Sequence, residues 1–117
     1  MEKDLRKPAG SLNELVSQGK LIAAAEMYYA PNIRTIEFDG RVTDGKQAAM
    51  EKLTSFVNSI LKVKEITLLR SASDNNSSFA EFILDLDMKD GSNIYLHEIV
   101  RSLWENGQVV EEQYFKG

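Results

Sequence analysis

The stretch Leu103–Phe115, "LWENGQVVEEQYF", decides the fold. Asn106-Gly107 tolerates positive φ at both central turn positions and stands between two segments rich in β-branched and aromatic residues, so it marks a tight hairpin. Working back from it, "NIYLHEIVRSLW", "FAEFILDLDM" and "KEITLLRSA" also repeat with period two, separated by Asp90-Gly91 and Asp74-Asn-Asn-Ser77. Four long segments joined by short turns read as an antiparallel meander.

The N-terminal half has a different period. Ser11-Leu-Asn-Glu14 matches a capping box, which predicts a helix starting at Ser11, and residues 1–10 are read as a loosely ordered N-terminus. Gly19 marks a break, "KLIAAAEMYYA" resumes a helix that Pro31 cannot extend, and "IRTIEF" changes to strand character with a turn at Asp39-Gly40. After Gly45, "KQAAMEKLTSFVNSILK" places Ala49, Leu53, Phe56, Val57 and Ile60 on one helical stripe. Helix, helix, short strand, helix and four long strands form one α+β domain over residues 1–117, with helices on one face of a strongly bent sheet.

Composition narrows the function. The 14 Lys and Arg residues are scattered and the net charge is −4, so the basic stripe that nucleic acid requires is missing. There is no cysteine, which removes thiolate chemistry and fits a reducing compartment; with no apolar run at the start, a cytoplasmic protein without a membrane segment is expected. Asp85 and Asp87 alternate with an apolar face and read as solvated, and no metal or other cofactor is expected.

Because a one-residue slip exchanges the faces of a strand, parity assigns partners. Ile94, Leu96, Val100 and Trp104 share a face with Glu98 and Ser102; Tyr95, His97, Ile99, Arg101 and Leu103 share the other. Both faces are largely apolar while helices can cover only one, so a homodimer through the sheet face is expected, the alternative being a monomer with scattered surface apolar residues. His97, the one histidine, falls on that outer side. Glu98 stands among apolar neighbours, where a charge is costly unless it is protonated, paired with Arg or Lys, or lining a wet pocket. Ile33, Thr35 and Glu37 share a face that Ile33 marks as inward, which makes Glu37 either a base in apolar surroundings or a rim carboxylate paired with Arg34 or Arg41. Glu111 and Glu112 point to opposite sides, and parity alone does not choose between them.

The order of elements, with "MYYAPNIRTIEF", "DGKQAAMEKLTSF" and "WENGQVVEEQYF", resembles the nuclear transport factor 2-like superfamily, in particular its SnoaL-like and ketosteroid-isomerase-like branch, from about Leu12 to Phe115. The resemblance implies a cystatin-like cone: a curved antiparallel sheet wrapped around N-terminal helices, usually dimeric, with a pocket for a small, mostly apolar molecule. It implies acid–base chemistry of the isomerase, cyclase or lyase kind, with Glu37 as base and Glu98 as acid, Arg101 following three residues later. The family's helix tyrosine falls near Leu12, where no phenol stands, so Tyr28 or Tyr29 serves only if one points inward. Tyr28, Tyr29, Phe56, Trp104 and Tyr114 are the expected pocket lining. The alternative function is a non-catalytic ligand-binding or protein-interaction module on the same fold.

Overall fold

The computed structural model describes residues 4–117. Its elements run α1 (Arg6–Ser17), α2 (Leu21–Tyr28), β1 (Tyr29–Ile36), β2 (Val42–Asp44), α3 (Lys46–Asn58), β3 (Ile60–Asp74), β4 (Ser77–Met88), β5 (Asn93–Glu105) and β6 (Gln108–Lys116). No described helix is long and apolar enough to cross a membrane.

Helix α1 corrects the reading of the N-terminus. It starts at Arg6 rather than Ser11, and the part of the expected loose segment before Asp4 lies outside the described residues. Leu5, Ala9 and Leu12 recur at helical spacing and are all buried in the core, so apolar packing carries the helix back past the capping-box motif. Pro8 is tolerated because the first turn has no internal acceptor for its missing N–H. At the other end Gly19, at φ 78°, closes a Schellman motif in which Gly19 N–H donates to Val16 O and Lys20 N–H to Leu15 O.

The sheet order is β2-β1-β6-β5-β4-β3. The expected meander is antiparallel throughout β3 to β6, and Asn106 and Gly107 both have positive φ in its last turn. Two features were not legible. Residues Val42–Asp44 return on β1 as a short hairpin strand, and β1 itself pairs with β6 in parallel, so the sheet is mixed. Pro31, which has no N–H to give, sits where the β1–β6 register is interrupted between Tyr29 and Arg34.

Register shifts at three places in β3, and one between Leu103 and Trp104, bend the sheet around the helices. The concave face of β4 carries Ala80, Phe82, Leu86 and Met88, all buried. A core of Leu5, Leu12, Ala24, Ile33, Trp104 and Val109 fills one end of the space between sheet and helices. The convex face is different: Tyr95 is 67% exposed, and Leu69, Phe79 and Phe115 are also exposed there.

Candidate functional site

Between the helices and the concave sheet lies a cavity of about 520 Å³. Its wall is mainly apolar, with Leu12 and Val16 from α1, Phe56 from α3, Phe82 and Leu86 from β4 and Leu96 from β5. Three glutamates, Glu37, Glu98 and Glu112, project into it from β1's end, β5 and β6.

Glu98 lies where strand alternation put it, on the Leu96 and Val100 side. It has no side-chain hydrogen bond among the described residues, and Arg101 points to the convex face, where it binds Glu111 at 2.6 Å and Gln113 at 3.0 Å. Burial first, then the negative charges of Glu112 and Glu37, push the Glu98 carboxyl up to about 7. A carboxyl so tuned exchanges its proton near neutral pH.

Glu37 has neither of the partners considered from sequence. Arg34 pairs with Asp44 and Arg41 with Asp39, while the Glu37 carboxylate, 26% exposed, meets Lys52 Nζ of α3 at 3.1 Å. It reaches the cavity as half of an ion pair rather than as a carboxylate in apolar surroundings.

Glu112 is the site residue that sequence reasoning did not select. Tyr29 and Tyr114 each donate a phenolic O–H to its Oε1 at 2.6 Å, and Ser102 Oγ donates to Oε2 at 3.3 Å. Burial pushes the Glu112 carboxyl up, and the three hydrogen bonds pull against that rise. Burial and the facing Glu112 charge push both phenols well above the usual tyrosine range, so they remain donors. The displaced register decides between Glu111 and Glu112, which parity left open. A regular hairpin counted outward from Asn106-Gly107 opposes Ser102 to Glu111; the bulge opposes Ser102 to Glu112 and Leu103 to Glu111, turning Glu112 inward beside the fully buried Val109.

Of the expected lining residues, Tyr29, Phe56 and Tyr114 border the cavity. Tyr28 and Trp104 do not. They meet edge to face at 5.6 Å in the core, with Trp104 Nε1 donating to Ser78 Oγ at 2.9 Å, because Trp104 stands beyond the register shift and under the end of α2. His97, on the convex side, bonds Glu81, which also holds Arg70 at 2.7 Å. Asp85 and Asp87 share the side-chain amide of Asn93.

A bent mixed sheet wrapped around three helices, with acidic groups inside an apolar cavity, defines an α+β cone. Solved structures place it further: the chain has the nuclear transport factor 2-like fold. A Mesorhizobium loti protein named as a SnoaL-like polyketide cyclase is similar with TM-score 0.85 and 24% identity, over 97% of this chain and 99% of that one. A Jannaschia protein, also named as a SnoaL-like polyketide cyclase, is similar with TM-score 0.79 and 11% identity, over 98% and 89%. A Catenulispora acidiphila protein with a ketosteroid isomerase-like fold, in complex with trimethylamine, is similar with TM-score 0.75 and 9% identity, over 94% and 85%. No protein-family model and no curated protein matches the sequence.

Proposed function

We propose that the cavity binds a small, mostly apolar molecule and that Glu98 exchanges a proton with it. The observation that carries this reading is a half-buried carboxyl on the cavity wall with no internal partner, held at about 7 by its desolvation and two neighbouring carboxylates. Glu37, fixed by Lys52, is the second acid–base group, and the Tyr29–Glu112–Tyr114 cluster orients the polar part of the ligand. The exposed apolar residues of the convex face support pairing with a second copy of the chain, leaving the concave cavity free.

A β,γ-unsaturated cyclic ketone tests the reading, since its isomerisation to the conjugated enone raises ultraviolet absorbance. Turnover with a pH profile that breaks near 7 is expected, with a loss of about 100-fold or more in Glu98→Gln, the usual scale of acid–base assistance. Binding of the ketone without turnover refutes the proton transfer and leaves a carrier.

A further inference from the structure

The cavity sets three carboxyls, Glu37, Glu98 and Glu112, against two lysines. Lys52 is committed to Glu37 at 3.1 Å, and Lys116 lies with its Nζ 5.6 Å from the centroid of the Phe38 ring. Neither Glu98 nor Glu112 has an ion-pair partner among the described residues; Lys116 stands opposite Glu98 across the β5–β6 pair and turns its ammonium to the Phe38 ring instead. The titratable groups that share the cavity with Glu98 are Tyr29 and Glu37 from β1 and its end, Lys52 from α3, and Glu112, Tyr114 and Lys116 from β6. Among the described residues α1, α2, β3 and β4 present none.

A second observation is independent of charge. Asn13 of α1, 8% exposed, and Thr35 of β1, 4% exposed, both border the cavity. Neither side chain has a hydrogen-bond partner among the described residues, although no fully enclosed side-chain nitrogen or oxygen there lacks one. Their polar atoms therefore open on the cavity. Polar groups buried in this way are normally satisfied, so these two are open to water or to a polar group of an occupant.

We propose that the ligand is a compact apolar cation, an amine or quaternary ammonium, whose charged nitrogen is balanced by Glu98 and Glu112. The apolar wall takes its body, and Asn13 and Thr35 take any neutral polar group that it bears. A cation entering the cavity sets a positive charge directly against Glu98, so its binding draws the proton from Glu98 and the two events are coupled. A neutral ligand that accepts a hydrogen bond from Glu98 couples with the opposite sign.

This inference rests on the reading of the cavity as a ligand site, and two probes of nearly equal shape separate the two claims. Benzyltrimethylammonium carries a permanent charge, and neopentylbenzene replaces its nitrogen with carbon. Titration of the intact protein, followed by chemical shifts, is expected to show the ammonium probe binding about tenfold tighter at about pH 8 than at about pH 6, as follows for a group near 7, with the hydrocarbon unchanged. Glu98→Gln is expected to flatten that dependence; if this variant does not fold, the pH series on the unaltered protein decides. Equal or weaker binding of the cation at the higher pH, with the hydrocarbon still bound, overturns the inference and leaves the ligand site standing. Failure of both probes to bind overturns both.

Discussion

Replacing Glu98 with glutamine is expected to stabilise the protein, by an amount that grows as pH rises from about 4.5 and is complete above about 7. The carboxyl rises from 4.5 to about 7 on folding. Because the folded value is the higher, the folded chain keeps a proton that the unfolded chain has already released. Stability from this group is therefore full below about 4.5, declines as pH rises, and is lost above about 7. At about 1.4 kcal/mol per pH unit, ionising Glu98 costs the folded state roughly 3 kcal/mol. Glutamine has nearly the same shape and no charge to bury. The stability of Glu98→Gln relative to the parent should thus improve by roughly 3 kcal/mol between about pH 4 and about pH 8.5, or roughly 12 °C in melting temperature for a chain of this size. Urea unfolding followed by fluorescence of the single tryptophan, buried Trp104, measures the difference directly. Carboxyls remote from the cavity titrate in both proteins and cancel, while Glu37 and Glu112, which feel the Glu98 charge, contribute part of the difference. A variant-minus-parent difference that is the same at both pH values refutes the account of Glu98 as a desolvated, unpaired acid.

Tyr29→Phe removes one of the two phenols on Glu112 while leaving Tyr114 and Ser102 in place, and should cost about 2 kcal/mol, the scale of a hydrogen bond to a charged or strongly polarised group. Tyr114→Phe should cost a similar amount, and the double variant should depart from the sum because both phenols share one oxygen; singles within about 0.5 kcal/mol of the parent would mean that the cluster does not hold the site. Light scattering at micromolar concentration should give twice the 13.2 kDa chain mass, with Tyr95→Asp shifting it toward the monomer; a monomeric parent removes the convex face as an interface.

Strand alternation made much of this legible. Ile94, Leu96, Glu98, Val100 and Ser102 all face the cavity, as their parity in β5 requires, and Glu98 could be found because a charge among aliphatic neighbours is anomalous at sequence level. What alternation cannot see is its own interruption. One displaced residue in β6 exchanged Glu111 and Glu112, and no propensity in "QVVEEQYF" announces where a bulge falls. The start of α1 was hidden for a different reason: Ser11 and Glu14 offered a local signal, and the burial of Leu5 and Ala9, a long-range event, overrode it. The Glu37–Lys52 pair likewise depends on how α3 docks over β1, while the arginines nearest in sequence are drawn off by Asp39 and Asp44.

The parallel seam between β1 and β6 also sets an order of events. The hydrogen bond from Tyr29 to Glu112 joins residues 83 apart, so β1, which β2 can join early, must wait for β6 until those intervening residues have emerged during synthesis. Before that the hydrophobic shell can collapse, but the acidic cluster has no address. A ligand that touches both strands would act as a clasp across this seam and slow its reopening, so the lifetime of the folded molecule becomes a reporter of occupancy even when no product is formed.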